Sequence, residues 1–261
     1  MQQYTEFLQL HRRDTPLILG NVWDVDSAKI YEQMGFQALG TSSAAIASTL
    51  GYEDGEKMTF DELLYQVKRI AANVDIPLSV DIEGGYSRNP EEIIQNIMAL
   101  HENGVAGINL EDSTVGGSRE ITPVEDFSEI VKTIKHYFQK HHINIFLNIR
   151  TDTYLLGVPF VLENTLERVR AYEEAGADGI FIPGIVSSKD INQVVSATAL
   201  PVNVMCMPGL PDFDELAALG VKRISMGNFV HEFIHNELRK AIDVIQTNRS
   251  FKPLFSHAGH E

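Results

Sequence analysis

Acidic side chains recur at the ends of short apolar runs in this chain, and their spacing points to cation or acid/base chemistry. Asp24 follows the first run, Thr41, Ser42 and Ser43 the second, Asp81 and Glu83 the third, Glu111 and Asp112 the fourth, and Arg150 and Asp152 the fifth. Three neighbouring acidic ends suit a hard divalent ion such as Mg2+, which takes oxygen ligands, keeps several waters and needs only one or two direct carboxylates. Without a cation the same carboxylates would repel one another, raise one another's pKa and serve as an acid/base pair. Each acid can instead cap the helix that follows, and for Asp24 and Asp152 both readings stand open. The segment VDIEGGYS says more. Asp81 and Glu83 flank one apolar residue and are expected on the same side of the chain, while Gly84 and Gly85 permit a sharp turn or a close ligand approach. Arg150 closes a run that reads as buried, where an unpaired cation would be costly, so it is expected to meet both the acidic cluster and a substrate carboxylate.

These groups need a scaffold that gathers successive strand ends on one rim. Apolar runs bounded by Gly, Pro or Asp alternate with amphipathic stretches throughout: Leu17 to Trp23, Ala38 to Ser42, Leu78 to Ile82, Gly107 to Leu110, Ile145 to Ile149, Gly179 to Ile182, Val202 to Met205 and Arg223 to Met226. Helices are expected to begin near Asp26, Asp61, Pro90, Pro123, Glu163, Ser188, Asp212 and Asn228. Runs two, four, six and eight follow helices ending at Gly35, Gly104, Gly176 and Gly220, whereas runs one, three and seven follow Pro16, Pro77 and Pro201. Eight such units predict an α/β fold of the (βα)8 TIM-barrel type, whose active face lies at the carboxyl ends of the strands. Residues 1–261 read as one domain without a linker, with a C-terminal helix and tail over about 229–261. That last amphipathic helix is expected to cover the barrel wall.

Lys plus Arg number 21 against 36 Asp plus Glu, a net charge of −15, which opposes binding to nucleic acid or an anionic membrane. No apolar run approaches the ~18 residues of a membrane span, and the start lacks a signal-peptide block. A single cysteine, Cys206, suits a reducing compartment, with the cytoplasm expected, and it reads as a buried small apolar residue. The nine histidines fall mostly on predicted helices or termini and read as surface or packing residues.

Four segments, GTSSAAIASTLGYEDGE, VDIEGGYS, INLEDS and NIRTDTYL, together resemble the isocitrate lyase and phosphoenolpyruvate mutase superfamily in order and spacing. The resemblance implies a modified (βα)8 barrel acting on Mg2+-bound α-oxo acids, with Mn2+ as an alternative ion. It implies that Ser42, Ser43 and Ala44 hold the substrate carboxylate through backbone N–H groups and a hydroxyl. Asp54, Asp81, Glu83 and Glu111 would surround the metal, Asp81 directly and the others mostly through water, with Asp54 and Glu111 counted beside Arg150 as catalytic. Arg150 would bind the substrate carboxylate or the developing oxyanion. It also implies a homo-oligomer, a tetramer that exchanges C-terminal helices.

One segment departs from the superfamily's pattern. Where isocitrate and methylisocitrate lyases carry Lys-Lys/Arg-Cys-Gly-His, this chain reads EDSTVGGSREITP, without cysteine, histidine or lysine. Thr114, Gly116, Gly117 and Ser118 are expected to form a mobile lid there, with Ser113, Thr114 or Ser118 positioning water. Because the lyase thiol is missing, the expected reaction is cleavage of a C–C bond next to an α-oxo acid through a metal-bound enolate, as in decarboxylation or hydrolysis of an oxaloacetate-like acid. Two alternatives remain: C–P chemistry on a phosphonopyruvate-type substrate, for which Arg88 and Arg119 are the nearby cations, and a barrel that binds a small 2-oxo acid without turnover.

Overall fold

In the computed structural model, which describes residues 2–115 and 119–255, eight strands close into a parallel barrel. They are β1 (Leu17–Val22), β2 (Leu39–Thr41), β3 (Leu78–Asp81), β4 (Gly107–Glu111), β7 (Phe146–Arg150), β8 (Gly179–Ile182), β9 (Val202–Met205) and β10 (Arg223–Ser225), and β10 pairs back onto β1. Each falls within one residue of an apolar run or inside it, because strands buried on both faces show as continuous apolar segments. The four helix-ending glycines have φ of 83°, 81°, 98° and 87°, the left-handed conformation that terminates a helix without a Cβ clash.

Helices α2 (Val25–Gln33), α4 (Phe60–Ala71), α5 (Pro90–His101), α6 (Val124–His141), α8 (Val161–Glu174), α9 (Ser188–Ser196) and α10 (Phe213–Ala218) surround the barrel, and α1 (Gln2–Leu10) sits at its amino-terminal end. From α1, Phe7 packs edge-on against Phe146 at 5.6 Å, and His11 just beyond stacks on the same ring at 4.4 Å. Gly107 makes room for this plug, since a Cβ there would lie 2.8 Å from Phe7 Cε1. Above the plug the barrel interior is polar. Asn109, Asn148 and Asn203 are joined across it by hydrogen bonds of 2.9 and 3.3 Å, with Ser79, Ser225 and Arg223 buried beside them.

Besides α1, two short helices and a hairpin lie outside the predicted pattern. Helix α3 (Ser43–Leu50) starts directly from β2, and the short α7 (Thr153–Leu156) follows β7. Strands β5 (Ser113–Val115) and β6 (Arg119–Ile121) form an antiparallel hairpin after β4, clasped at its base by Thr122 N donating to Asp112 O at 2.7 Å. The expected lid falls here; Thr114 is in β5, while Gly116, Gly117 and Ser118 lie outside the described residues.

The C-terminal helix α11 (Phe229–Asn248), followed by α12 (Lys252–Phe255), corrects the expectation of a wall-covering helix. Of its twenty residues only His231 is buried, while Phe233 (62 % exposed), Ile234, Leu238, Ile242 and Val244 face outward. The helix runs off the barrel after its first turn, so its apolar side has no partner among the described residues. Cys206 is a second correction: it lies just past β9, beyond the strand's alternation, and is exposed.

Candidate active site

The carboxyl ends of the strands enclose a cavity of about 190 Å3 lined by Asn21, Ser43, Ala44, Asp54, Asp81, Asn109, Arg119, Arg150, Phe181 and Met205 among others. A hollow of about 410 Å3 opens near Leu10, Arg13, Phe36 and Phe213 at the other end, but it lacks an acidic cluster, and Arg13 already donates to Gln37.

Not every strand-end acid belongs to the cavity. Asp24 is a helix cap: its Oδ1 accepts from Ser27 N at 2.7 Å in a capping box that opens α2. Asp112 points away from the cavity and accepts from Arg168 (3.0 Å), Tyr172 OH (2.7 Å) and Asp152 N (3.1 Å), locking β4 to α8 and to the end of β7. Asp152 caps nothing with its side chain, although α7 starts next to it. Instead it takes a two-pronged contact from Arg150, Nε at 2.6 Å and Nη2 at 3.1 Å, and the Ser113 hydroxyl at 2.7 Å.

Arg150 is the centre of the cluster. Besides Asp152, its Nη1 lies 2.9 Å from Glu111 and 3.9 Å from Asp81, and its guanidinium sits 5.9 Å from the Phe181 ring centroid. Burial opposes its charge, but Glu111, Asp152 and Asp81 outweigh that and hold it firmly cationic. From the hairpin, Arg119 adds a second cation, 3.3 Å from Glu111, 3.4 Å from Asp152 and 3.6 Å from Asp54 on the outer rim. Ser113 Oγ reaches Glu111 at 2.9 Å and Asp152 at 2.7 Å, and Thr114 Oγ1 donates to Glu120 O across the hairpin at 3.4 Å.

Asp81 and Glu83 do meet, though by a turn rather than by strand alternation. Strand β3 ends at Asp81, Glu83 takes a left-handed φ of 50°, and Glu83 N donates to Asp81 Oδ1 at 3.2 Å. Thr41 Oγ1 accepts from Asp81 N at 2.9 Å, and Ser43 Oγ donates to Asp81 Oδ2 at 3.3 Å. Glu83 accepts from Glu56 N (2.8 Å) and from Tyr86 OH (3.2 Å). The serine loop is also divided in its duties. Ser42 N donates to Val22 O at 3.0 Å and Ser42 Oγ accepts from Ala45 N at 3.3 Å to cap α3, which leaves the Ser42 O–H as a donor at the cavity wall. Ser43 and Ala44 occupy the first turn of α3 at the cavity wall, where unpaired N–H groups and the helix dipole favour an anion.

Five carboxylates, from Asp54, Asp81, Glu83, Glu111 and Asp152, thus share two guanidiniums. Three of them, Asp81, Glu83 and Glu111, are shifted upward, mainly by burial. Burial, with the charges of Asp54 and Asp81, pushes Glu83 up to about 8. Burial pushes Glu111 up to about 8 against the pull of Arg150, and raises Asp81 as well. A divalent ion would relieve that strain, and an all-oxygen donor set fits a hard ion. Among the described residues no three acidic, His or Cys side chains converge into a cage, so such an ion would complete its sphere with water or substrate.

The position of Asn109 was not legible in the sequence. It lies one turn of the pleat below Glu111 on β4, and an asparagine inside an apolar run carries no signal of facing a cavity.

Known proteins share this architecture. A family model described as phosphoenolpyruvate phosphomutase matches residues 7–246. An uncharacterized protein of Mycobacterium tuberculosis (strain CDC 1551 / Oshkosh) is 35% identical over 222 residues, spanning 85% of this chain and 81% of the relative. An oxaloacetate decarboxylase of Paraburkholderia xenovorans (strain LB400) is 28% identical over 249 residues, 93% of this chain and 81% of the relative. The crystal structure of a candidate lyase/mutase from Burkholderia cenocepacia J2315 superposes with a TM-score of 0.92 at 30% identity, covering 99% of this chain and 94% of that one. With its closed barrel and acid-and-arginine rim, the chain is an enzyme of the lyase and mutase type and belongs to the phosphoenolpyruvate phosphomutase family, within the PEP mutase/isocitrate lyase superfamily.

Proposed function

We propose that the protein cleaves a C–C bond next to the carbonyl of a small, oxaloacetate-like α-oxo acid with the help of Mg2+, which Mn2+ can replace. The observation that carries this reading is the cluster around Arg150, where two guanidiniums face five carboxylates beside the amino end of α3. Asp81 would hold the ion directly, with Glu83, Glu111 and Asp54 reaching it through water. The bound ion would supply Lewis-acid stabilisation of negative charge on the substrate.

The chain's own groups supply the rest. The Ser43 and Ala44 N–H groups and the Ser42 hydroxyl hold the substrate carboxylate at the start of α3. Arg150 keeps N–H donors beyond those given to Glu111 and Asp152, and these meet the oxo oxygen as it gains charge. In decarboxylation the bond to the leaving carboxylate breaks, its electron pair moves onto the oxo oxygen as an enolate, and a proton returns to carbon after CO2 departs. No thiol is required for this, which agrees with the absence of cysteine from the β5–β6 segment. The segment of Thr114, Gly116, Gly117 and Ser118 would serve as the lid, with Arg119 beside Glu111 and Asp152. Both cavity guanidiniums are already paired, which favours C–C over C–P chemistry, since a phosphonate would ask for a further cation.

The exposed apolar face of α11 supports a homo-oligomer in which this helix packs on a second copy of the chain. The acidic charge and one unpaired cysteine agree with a cytoplasmic enzyme that binds neither nucleic acid nor membranes, and among the described residues no helix is long and apolar enough to cross one.

Incubation with Mg2+ and a panel of oxaloacetate, related 2-oxo acids and 2-hydroxy tricarboxylates tests the reading. Metal-dependent product that vanishes in Asp81→Ala supports it. A phosphorus NMR change with phosphonopyruvate alone would move the assignment to C–P chemistry. Tight 2-oxo-acid binding without product would make the barrel a binding protein.

A further inference from the structure

We infer that Asn109 is a substrate-contacting residue on the cavity floor, and that Arg223 is the residue that orients it. The inference rests on the proposed reading of the cavity as a 2-oxo-acid site and names how that site grips its ligand.

Arg223, on the first position of β10, is 1 % exposed and has no carboxylate partner among the described residues. Its Nη2 donates to Asn109 Oδ1 across the barrel at 3.3 Å and its guanidinium lies 5.9 Å from the Phe7 ring centroid, while Nε and Nη1 have no hydrogen-bond partner among the described residues. A guanidinium only donates, so the atom of Asn109 facing it must be the carbonyl oxygen. The same oxygen accepts from Asn148 Nδ2 at 2.9 Å. Asn148 Nδ2 also donates to Asn203 Oδ1 at 3.3 Å, and Asn203 Nδ2 donates to Val204 O at 2.7 Å and to Ser225 Oγ at 3.2 Å. One obligate donor therefore sets the direction of the whole interior chain of amides.

The consequence falls on the other end of Asn109. With Oδ1 used twice, its NH2 group is left over, makes no hydrogen bond among the described residues, and belongs to a side chain that is 7 % exposed and lines the cavity. The two guanidiniums in the cavity are already paired with carboxylates. Asn109 thus presents neutral N–H donors that are not spent on the protein, at the floor below Arg150. Their complement is an electron-rich oxygen of the ligand, a carboxylate or enolate oxygen lying deeper than the group held at the start of α3. A buried, fixed donor of this kind costs no reorganisation when the ligand binds.

The test uses the full-length protein, Mg2+ and oxalate, a dianion shaped like a pyruvate enolate. Asn109→Asp keeps an acceptor for Arg223 and Asn148 but turns the donor into an oxygen, so the fold should hold while oxalate affinity by calorimetry falls about tenfold or more. Mg2+ affinity, measured without oxalate, should not fall, because the substitution adds negative charge. Arg223→Met, which frees the amide to rotate, should weaken oxalate several-fold with Asn109 intact. A merely structural role would instead lower thermal stability and the affinities for Mg2+ and oxalate together, and that result overturns the inference. If wild type binds oxalate and Asn109→Asp binds it equally well, the assignment of Asn109 is wrong and the 2-oxo-acid reading stands. If wild type with Mg2+ binds no oxalate, that reading fails and takes this one with it.

Discussion

Replacing Arg150 with methionine isolates what the cluster costs the fold. The substitution keeps an apolar stem of similar reach but removes contacts of 2.6 Å to Asp152 and 2.9 Å to Glu111, both fully buried at their carboxylates. Removing one member of a buried ion pair costs about 3–5 kcal/mol, mostly the penalty of the orphaned charge. Arg119 still reaches Glu111 at 3.3 Å and Asp152 at 3.4 Å, so the lower end, about 3 kcal/mol, is expected. With a urea m-value of about 3 kcal/mol/M, the unfolding midpoint should fall by about 1 M in chelator-treated protein at pH 7. The loss should also grow above about pH 8. Glu111 sits up at about 8 even beside Arg150, and removal of the arginine raises it further. Between 4.5 and 8 both folded proteins hold a proton that the unfolded chain releases, so they lose stability in parallel; above about 8 wild-type Glu111 gives its proton up while the variant still holds it, and only the variant keeps declining. Adding Asp152→Asn to Arg150→Met should recover about 1 kcal/mol by deleting an orphaned charge. A midpoint shift below about 0.3 M, or a double variant weaker than the single one, would refute the account of the cluster as mutually dependent charges.

Other outcomes follow from groups away from the cluster. His11, held down to about 3 by burial and by the Arg223 charge, stays neutral in the fold while the unfolded chain titrates near 6.5. Stability should therefore drop as pH falls from 6.5 toward 3, and His11→Gln should remove about 2 kcal/mol of the difference between pH 7 and pH 4.5 in urea unfolding. Asp24→Ala should cost about 1 kcal/mol of stability through loss of the α2 cap and leave Mg2+ affinity unchanged; a loss of metal binding would return Asp24 to the site. The paired change Leu238→Glu, Ile242→Glu should lower the mass seen by sedimentation while leaving the circular dichroism of the barrel intact; an unchanged mass would remove α11 from the assembly.

The barrel strands were readable because each is buried on both sides and all but β7 follow a Gly-ended helix or a Pro, so the apolar runs and the strands nearly coincide. The acidic rim followed from that count alone: knowing which residue ends a strand nearly tells which residues meet. Helix α3 escaped because its serines and alanines form a short run of small residues with little periodicity, and only Ser42 marks its start. The β5–β6 hairpin escaped for a related reason, being polar, short and interrupted by glycines. Amphipathicity of α11 told that one side needs covering, but not by what, and the wall was the wrong answer. The asparagine layer is the hardest case, because an inward Asn is acceptable only when a partner on a distant strand receives it. Arg223 and Asn109 are 114 positions apart in the chain.

The clasp between Thr122 N and Asp112 O means that the chain leaves β4 and returns to almost the same point before entering α6. Whatever is threaded between those two residues is therefore a cassette. Its length and chemistry can be exchanged while every barrel strand keeps its register, because nothing downstream has to move. A different set of side chains over the same acids can be installed by editing this single excursion, and the cylinder beneath need not take part in the change.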